Sequence, residues 1–355
     1  MVKRLLVAPL NWGLGHASRC IPIIRSLQAA GVEPVLASDG VALDLLRAEF
    51  PDLESVALPA YGIRYDTPNM TWNVARRLPR VLWAIRAEHQ AVARMVRHMG
   101  IEAVLSDNRY GCFHPDRPSV LITHQLRPRI PGRVASWTGH TMLRQALHRF
   151  DAVWVPDVAG EGNLSGELSH GTDIHPNTRY IGLLSRMRRY PRETEYDVAM
   201  VLSGPEPQRS RLEERLLEEA LALPYRTAIV QGKTQSQQHY FAAEHVEVVS
   251  YLTSDTLNDL ILAARAVVCR AGYSSIMDLA ALGKKALLIP TPGQTEQEYL
   301  AEMLGDRGYF AWQTQAALDL EKGLRALEGT TGVPLSGLDG EEGYAGVLGE
   351  WLGIS

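Results

Sequence analysis

A histidine follows two closely spaced glycines near the start of the chain, in the segment LNWGLGHASR at residues 10–19. An apolar run typical of a strand precedes this segment, and a helical pattern follows it. A glycine loop between a strand and a helix is a common phosphate site, because the first N–H groups of a helix are unpaired. His16 adds a group whose reference pKa lies near physiological pH. The loop is therefore a candidate for phosphate binding or for acid–base chemistry, and the alternative is that His16 only caps the helix.

Further polar residues of the first half stand at the ends of predicted strands. Asp107 ends the run AVLSD, and His124 ends the run SVLITH. The carboxyl ends of parallel strands are where α/β sheets bind ligands, and a carboxylate there can also orient a catalytic histidine. The first half therefore has a group of candidate substrate-facing residues: Asn11, Gly13, Gly15, Asp107 and His124.

The second half contains a stronger pattern, CRAGYSSIMD at residues 269–278. A buried strand is predicted to end at Cys269, and a turn with Arg270 and Gly272 leads to a helix that begins near Ser274 and Ser275. Hydroxyl groups at a helix start can bind phosphate oxygens together with the positive end of the helix dipole. The alternative is that one of these serines merely caps the helix.

Two further groups of this region suit a sugar nucleotide. Asp278 lies about one helical turn after the serines, where its carboxylate could accept hydrogen bonds from ribose hydroxyls. The loop and helix start PTPGQTEQEY carry carboxamides and carboxylates that suit sugar hydroxyls, namely Gln294, Glu296 and Gln297. A solvated helix end explains any one of these residues equally well.

The elements that must position these residues alternate between short apolar strands and amphipathic helices in both halves. This alternation predicts parallel sheets covered by helices, and therefore an α/β fold. With 355 residues the chain is long enough for two domains. We expect an N-terminal domain at residues 1–182, a C-terminal domain at 183–335 and a terminal helix at 336–355, which is a candidate for packing back on the N-terminal domain.

Composition excludes several classes of protein. The three cysteines lie far apart without a C-x-x-C pair, which argues against a disulfide framework or a zinc ribbon. We see no signal peptide and no apolar run long enough to span a bilayer, so we expect a cytoplasmic location. The net charge is −4 and no nucleic-acid motif occurs, so we expect no nucleic-acid partner.

Taken in order, the second-half motifs resemble the donor-binding segment of GT-B glycosyltransferases. The resemblance is greatest to glycosyltransferase family 28, whose typical member adds N-acetylglucosamine to the lipid-linked peptidoglycan precursor. The resemblance lies in CRAGYSSIMDLAALGKKALLIP and TEQEY. It implies a GT-B fold, in which two Rossmann-like domains with parallel sheets face a central cleft. It also implies donor contacts, which we assign to Ser203, Gly204, Leu252, Arg270, Gly272, Ser274, Ser275, Asp278, Gln294, Glu296 and Gln297.

The chain departs from the family pattern at two places. Glu298 stands where the family tends to repeat glutamine, which leaves the identity of the sugar open. Pro205 and Pro207 follow Ser203 and Gly204, and proline offers no N–H group to a diphosphate.

The resemblance implies transfer of a hexose or N-acetylhexosamine from a nucleotide-diphospho-sugar, with UDP as the expected carrier, to an acceptor hydroxyl. In this fold the glycine loop of the first domain faces the acceptor, so His16 is expected to be the general base of an inverting reaction. The chain has no Asp-x-Asp pair, and we expect neither a metal nor another cofactor. Alternatives are a sugar-nucleotide epimerase, a non-catalytic sugar-nucleotide or lipid-binding partner, and a dehydrogenase that would use GLGHAS and Asp39 as a dinucleotide fingerprint.

Arginine and tryptophan recur between residues 58 and 150, where 14 arginines stand against five acidic residues. Trp83 and Trp137 lie in amphipathic stretches together with several of these arginines, and Pro79 is expected to kink or restart the first of these helices. Such a combination suits an anionic membrane surface or a lipid phosphate headgroup, and the alternative is a packed helix with a solvated arginine face. The family resemblance implies a lipid-linked acceptor of the cell envelope. Together with these arginines and tryptophans, it leads us to expect a peripheral location at the inner face of the membrane.

Overall fold

The computed structural model describes residues 2–62, 70–130, 132–171, 174–233, 238–338 and 343–353, and the side chains of residues 70–78 and 134 lie outside this description. The chain divides into two compact units. Unit 1 comprises Met1–Leu184 together with Gly337–Ser355, and unit 2 comprises Ser185–Ser336.

Unit 1 is built on a seven-stranded parallel sheet. Its strands are β1 (Arg4–Pro9), β2 (Glu33–Ser38), β3 (Ser55–Ala57), β4 (Ala103–Asp107), β5 (Ser119–Ile122), β6 (Ala152–Val155) and β7 (Thr178–Tyr180). Their order across the sheet is β3-β2-β1-β4-β5-β6-β7. The helices that connect them are α1 (Gly15–Ala29), α2 (Gly40–Glu49), α3 (Met70–Met99) and α4 (Arg133–Leu147).

The central strands are buried along almost their whole length, and most of their residues are apolar. In β1 only Arg4 reaches the surface in part, and Leu5, Leu6 and Val7 are fully buried. Such continuous burial is typical of parallel sheets and explains why these strands lack polar–apolar alternation. The helix α1 ends before Gly31, which adopts a left-handed φ of 73° that glycine accepts without strain.

The helix α3 lies close against the loop that follows β4. A Cβ atom on Gly111 would stand 2.2 Å from the carbonyl oxygen of Ile85 and 2.7 Å from Cβ of Glu88, so only glycine fits at this position. Pro79 lies inside α3, so the helix does not restart at this proline, and a kink there stays a prediction. The close approach allows the buried Glu88 of α3 to contact residues at the carboxyl end of the sheet.

Unit 2 has a second seven-stranded sheet. Its strands are β8 (Tyr196–Val201), β9 (Thr227–Val230), β10 (His239–Ala243), β11 (Val246–Val249), β12 (Ala264–Cys269), β13 (Ala286–Leu288) and β14 (Ala311–Trp312). The helices of unit 2 are α5 (Gln208–Ala222), α6 (Ser254–Ala263), α7 (Tyr273–Leu282), α8 (Thr295–Asp306) and α9 (Leu320–Ala326). The strand order is β10-β11-β9-β8-β12-β13-β14, and only β10 runs antiparallel to its neighbour. Both units are therefore α/β units with sheets of parallel strands.

The last helix, α10 (Gly343–Leu352), belongs to unit 1. The ring of Trp351 meets that of Trp154 edge-on, with centroids 5.4 Å apart. Glu350 accepts two hydrogen bonds from Arg179, of 2.5 and 2.9 Å. Among the helices of the described residues, none combines the length and apolar character that crossing a bilayer requires.

Candidate active site

His16 lies in the first turn of α1, just after β1. The N-cap of this helix is Leu14 and no side chain caps it, so His16 does not act as the cap. Instead its Nδ1 lies 2.9 Å from Oδ1 of Asp107, the last residue of β4. The imidazole is 14% exposed, and its Nε2 has no hydrogen-bond partner among the described residues. This arrangement, a carboxylate on one ring nitrogen and the other nitrogen available, suits a general base.

Arg19 joins the three titratable residues that the sequence places at strand ends or in the glycine loop. It pairs with both carboxylate oxygens of Asp107 through Nε and Nη2. Its Nη1 lies 3.1 Å from Nδ1 of His124, and its Nη2 lies 2.9 Å from Nδ1 of His16. The structure thus brings His16, Asp107 and His124 together around one buried guanidinium group.

Charge and burial set the protonation states in this cluster. Although burial raises the pKa of Asp107, the charges of Arg19 and His16 and their hydrogen bonds lower it to about 2. Burial lowers the pKa of His16, Asp107 raises it, and Arg19 and His124 lower it further, with a net shift downward. Asp107 is therefore ionised and His16 neutral at neutral pH, as a general base requires.

A second polar cluster lies beside the first and contains Asn11. The amide of Asn11 donates to Oδ2 of Asp39 at 3.0 Å, and its carbonyl oxygen accepts from the backbone N–H of Ala42 at 3.4 Å. A Cβ atom on Gly40 would stand 2.4 Å from the Asn11 amide nitrogen, so glycine makes room for this contact. Asn11 thus ties the glycine loop to the start of α2.

Arg109 is the centre of this second cluster. Its guanidinium group pairs with Asp39 and with Glu88, and its Nε donates to the carbonyl oxygen of Pro9 at 2.9 Å. Glu88 also accepts a 2.8 Å hydrogen bond from the hydroxyl of Tyr61. Burial raises the pKa of Glu88 to about 7, although Arg109 and Tyr61 act in the opposite direction. Arg109 therefore connects the ends of β1 and β2 to α3.

Two other residues near the carboxyl ends of β1 and β4 have a positive φ. Gly13 is exposed and adopts a φ of 78°, with open space where a Cβ would stand. Asn108 has a left-handed φ of 56°, and its buried Oδ1 has no hydrogen-bond partner among the described residues. Asparagine tolerates this conformation better than most residues. Gly15 is the first residue of α1.

In unit 2, every residue assigned to the donor follows the carboxyl end of a strand or lies on the helix after it. The helix α7 begins at Tyr273 with Gly272 as N-cap and without a side-chain cap. Ser274 and Ser275 are half-buried in its first turn, so neither serine caps the helix. Their hydroxyls and the first N–H groups of α7 form a position suited to an anion.

Arg270 precedes this helix and is 1% exposed. Its guanidinium group donates to the backbone carbonyl oxygens of Ile289, Pro290 and Gln208, at 3.3, 3.2 and 2.8 Å, and its Nε has no partner among the described residues. Burial lowers the pKa of Arg270 to about 10. Within the described part of the chain no carboxylate neutralises this buried charge, so the region carries a positive potential.

The residues after β13 form hydrogen bonds that shape the loop before α8. Oε1 of Gln297 accepts from the backbone N–H of Thr291 at 2.8 Å, which orients its amide group. Glu298 accepts from the backbone N–H of Gly293 at 2.9 Å, so this carboxylate supports the loop. Gln294 is the N-cap position of α8, and Glu296 lies in its first turn.

Asp278 contacts the segment that begins unit 2. Its Oδ1 accepts a 2.6 Å hydrogen bond from the hydroxyl of Ser185. Burial raises its pKa, and the charge of Arg186 offsets this only in part. Arg186 also donates to Oγ of Ser254 at 3.1 Å, at the start of α6 and two residues after Leu252. The guanidinium group of Arg186 is thus placed between Asp278, assigned to the ribose, and the segment of Leu252, assigned to the base.

The loop after β8 contains the remaining donor candidates. Ser203 is half-buried, and Gly204 is exposed with a φ of 111°. A Cβ atom on Gly204 would stand 3.8 Å from Oγ1 of Thr291, whose hydroxyl is buried without a partner among the described residues. The loops after β8, β12 and β13 therefore meet at one edge of the sheet.

Sequence reasoning missed Arg19, Arg109, Glu88 and Arg186. Arg19 could have been found from the sequence, because it lies three residues after His16 on the same predicted helix, and residues at this spacing share a face. Arg109 and Glu88 are separated by 21 residues and meet only through the packing of α3. Within the described ranges, no group of three or more His, Cys, Asp or Glu side chains is arranged to hold a metal ion.

Comparisons with known proteins bear on the family and the fold of the chain. A family model described as the glycosyltransferase family 28 C-terminal domain matches residues 210–329. An uncharacterized glycosyltransferase of Methanopyrus kandleri is 24% identical over 304 residues, which are 80% of this chain and 84% of the relative. A Methylobacterium nodulans protein is 24% identical over 335 residues, 90% of this chain and 86% of that protein, and is described as UDP-N-acetylglucosamine--N-acetylmuramyl-(pentapeptide) pyrophosphoryl-undecaprenol N-acetylglucosamine transferase.

Solved structures show the same fold. The glycosyltransferase SnogD from Streptomyces nogalater matches with a TM-score of 0.63 at 14% identity, and the match covers 100% of both chains. Acinetobacter baumannii MurG matches with a TM-score of 0.54 at 14% identity, covering 93% of each chain. The chain is therefore a glycosyltransferase of the GT-B fold that resembles family 28, and its residues 210–329 match the model of that family's C-terminal domain.

Proposed function

We propose that the protein transfers a hexose or N-acetylhexosamine from a UDP-sugar to an acceptor hydroxyl with inversion at the anomeric carbon. In this proposal the nucleotide-diphospho-sugar is a substrate, and no metal or other cofactor takes part. Relatives described as UDP-N-acetylglucosamine transferases that act on a pyrophosphoryl-undecaprenol acceptor support a UDP donor and a lipid-linked acceptor.

The observation that carries the proposal is the buried Arg270 beside the first turn of α7. A fully buried guanidinium group without a carboxylate partner is costly unless an anion completes the site. The hydroxyls of Ser274 and Ser275 and the helix N–H groups lie just after it, and this segment falls within the family 28 match. A diphosphate bound there would gain hydrogen bonds and charge stabilisation together.

The remaining donor contacts follow from the same edge of unit 2. We assign the ribose to Asp278, the base to the backbone near Leu252, and the sugar to Gln297 with Gln294 and Glu296. Arg186 adds a positive charge near Asp278 and Ser254. Ser203 and Gly204 line the diphosphate from the loop after β8. Glu298 is held by Gly293, so we infer that it shapes the loop instead of reading the sugar.

The reaction needs one proton transfer. The acceptor oxygen forms a bond to the anomeric carbon while the bond from that carbon to the diphosphate oxygen breaks, and the diphosphate keeps the electron pair. Nε2 of His16 takes the proton of the acceptor hydroxyl, and Asp107 stabilises the imidazolium ion through Nδ1–H. Arg270 and the start of α7 stabilise the charge that develops on the departing diphosphate.

Donor binding can be tested by thermal shift with UDP-, GDP- and dTDP-sugars. We expect UDP-sugars to raise the melting temperature, because a ligand that binds only the folded state stabilises it. The double variant Ser274→Ala/Ser275→Ala should lose most of this shift, whereas Ser26→Ala, a serine of α1 in unit 1, should retain it. Stabilisation by none of the three donor classes would refute the donor site.

The reaction class can be tested by product analysis with an isotope-labelled UDP-sugar. Transfer requires an acceptor and releases UDP, and His16→Ala should reduce it by about 10² to 10⁴-fold, the usual contribution of a general base. Conversion of the labelled donor to an isomeric UDP-sugar without an acceptor would instead identify an epimerase. Tight donor binding with no turnover, unchanged in the His16 variant, would identify a non-catalytic binding protein.

We also propose that unit 1 associates with the surface of an anionic membrane. The outer face of α3 presents arginines and one tryptophan that is 61% exposed: Arg80, Trp83, Arg86, Arg94 and Arg97. Glu88 is the only acidic residue of α3, and it is buried against Arg109. On the described part of α3 no carboxylate therefore opposes these charges. Trp137 of α4 is 71% exposed and adds a second aromatic group.

Flotation with lipid vesicles tests this association. Phosphatidylglycerol-containing vesicles should carry the protein upward at low salt, and pure phosphatidylcholine vesicles should not. Arg80→Gln/Arg86→Gln/Arg94→Gln should weaken the binding, because each basic residue contributes about 1 kcal/mol near such a surface. Arg325→Gln in unit 2 is the control, and equal flotation of both variants would contradict the assignment.

A further inference from the structure

Arg19 is a buried cation that the proposed reaction does not yet use. Its side chain is 1% exposed, and its guanidinium nitrogens reach three groups of the proposed acceptor side that can carry or share a proton. These groups are Asp107, His124 and His16. A single guanidinium group that reaches a proposed base, its carboxylate partner and a second histidine is well placed to control all three.

We propose that Arg19 is a positioning residue for the transfer: it holds the carboxylate of Asp107 so that Oδ1 receives the Nδ1–H group of His16, which leaves Nε2 of His16 available to take the acceptor proton. This inference rests on the proposed function, because it assigns a role in preparing the base named there.

The first step is orientation of the carboxylate. Arg19 uses Nε for Oδ2 and Nη2 for Oδ1 of Asp107, which is a two-point contact. Two parallel hydrogen bonds between planar groups fix the plane of the carboxylate as well as its position. Cys20 adds a weak contact from Sγ to Oδ2 at 3.7 Å. Oδ1 is therefore held on the side of His16, 2.9 Å from Nδ1.

The second step is the choice of tautomer. Nη2 of Arg19 also lies 2.9 Å from Nδ1 of His16, and arginine can only donate hydrogen bonds. Nδ1 therefore either accepts from Arg19, which leaves the proton on Nε2, or donates to Asp107, which leaves Nε2 as the base. The second arrangement gives up the contact between Nη2 and Nδ1, but each nitrogen of Arg19 keeps an acceptor in Asp107 or His124, and His16 gains a charged acceptor in Asp107.

The third step is the charge of the histidine. The titratable and charged groups that face His16 are Asp107 from β4, His124 from the segment after β5, and Arg19 from its own helix. Burial lowers the pKa of His16 and Asp107 raises it, whereas Arg19 lowers it. Loss of the arginine charge should therefore raise the pKa and leave more of the histidine protonated, and so unable to act as a base, near neutral pH.

The test is ¹⁵N NMR of the histidine rings in the full chain, with the His16 signal assigned by comparison with His16→Gln. We expect neutral His16 to carry its proton on Nδ1 in the wild-type protein. In Arg19→Gln the His16 pKa should rise by about one unit, the lower end of the effect of a neighbouring charge. In Arg19→Lys, which keeps the charge, the pKa should stay within about half a unit of the wild-type value.

Kinetics give a second readout with UDP-N-acetylglucosamine as the probe and UDP release as the signal. In Arg19→Gln, kcat should fall by about tenfold or more and the acidic limb of its pH profile should move upward, as expected for a less available base. The KM for the donor should be unchanged, because the donor residues belong to unit 2. Arg25→Gln is the control, since Arg25 lies on the same helix and pairs with Glu49 at 3.4 Å, away from His16.

Three results would overturn the inference: an Nε2–H tautomer of His16 in the wild type, an unchanged His16 pKa in folded Arg19→Gln, or equal losses in Arg19→Gln and Arg25→Gln. If Arg19→Gln does not fold, the wild-type tautomer and Arg19→Lys decide the question. The NMR readout does not depend on turnover. Failure of the proposed function would show separately, as a wild-type protein that binds no nucleotide-sugar.

Discussion

Replacing Asp107 by asparagine should destabilise unit 1, because this carboxylate is the partner of a fully buried arginine. Both side chains of the Asp107–Arg19 pair are essentially inaccessible, with exposures of 0% and 1%. An asparagine at this position would keep the shape and one acceptor oxygen but would lose the charge. The variant Asp107→Asn therefore removes the charge and one of the two acceptor oxygens that Arg19 uses, with little change in side-chain volume.

The pKa of Asp107 gives one estimate of the stability that Asp107→Asn should lose. A drop from the ordinary value of 3.8 to about 2 corresponds to about 2 kcal/mol of stability at neutral pH. Leaving Arg19 as an uncompensated buried charge adds a cost, and breaking a buried pair from one side typically costs about 3–5 kcal/mol in total. We therefore expect Asp107→Asn to lower the free energy of unfolding by about 3 kcal/mol or more at pH 7.

The stability that Asp107 contributes depends on pH in one direction. The folded-state pKa of Asp107 lies below its ordinary value, so its contribution is fully present above pH 3.8 and is lost as the pH falls toward 2. The difference between wild type and variant should thus be constant from about pH 7 to 8, where His16 is neutral, and should narrow in strong acid.

Urea unfolding followed by tryptophan fluorescence measures this difference, since Trp312 is the only tryptophan of unit 2 and the other six lie in unit 1. Asp44→Asn, an exposed residue of α2, is the control and should change stability by less than about 0.5 kcal/mol. A loss below about 1 kcal/mol in Asp107→Asn, or a difference that varies between about pH 7 and 8, would refute the account of the buried pair.

Three further predictions concern the neighbourhood of this pair. Gly111→Ala should cost about 2 kcal/mol or more, because its Cβ would stand 2.2 Å from the Ile85 carbonyl, whereas Gly329→Ala, with open space around it, should be nearly neutral in the same unfolding assay. Asn108→Ala should be about 1 kcal/mol less stable than Asn108→Gly, because alanine resists the left-handed φ of 56°, and equal stabilities would contradict this. The folded-state pKa of Glu88 is about 7, above its ordinary value of 4.5. The protonated side chain therefore contributes stability that is fully present below pH 4.5, and this contribution is lost as the pH rises through 7. The stability of Glu88→Gln should therefore fall less than that of the wild type between about pH 5 and 8 in urea titrations, and parallel curves would count against the shift.

Much of the fold could be predicted because parallel α/β structure produces short apolar runs in the sequence. Strands such as β1 and β4 are buried on both faces, so their boundaries and the polar residues at their ends are visible in the sequence. The GT-B fold followed from the resemblance of residues 267–304, and the family match and the structural comparisons confirm it. The helical stretch with Pro79 was harder to predict, since packing can hold a proline inside a long helix.

The candidate site was predictable at strand ends and unpredictable where it depends on tertiary packing. The positions of His16, Asp107 and His124 follow from local patterns, but their meeting through Arg19 depends on the register of β1, β4 and β5. The contact between Arg109 and Glu88 likewise needs the close packing of α3 at Gly111. The donor assignments remain predictions, and the structure adds Arg186 beside them.

The assignment of α10 to unit 1 has a consequence for how the protein folds during synthesis. Unit 2 is inserted, in sequence, between the two parts of unit 1, and Arg179 and Glu350 are 171 positions apart. Contacts over such separations form late, because a long loop must close first. The seven-stranded sheet of unit 1 can assemble on the ribosome, but the Trp154 side of that unit stays uncovered until residues 343–352 emerge. Unit 1 is therefore complete only after the whole of unit 2 has been synthesised and the ten-residue helix α10 has docked.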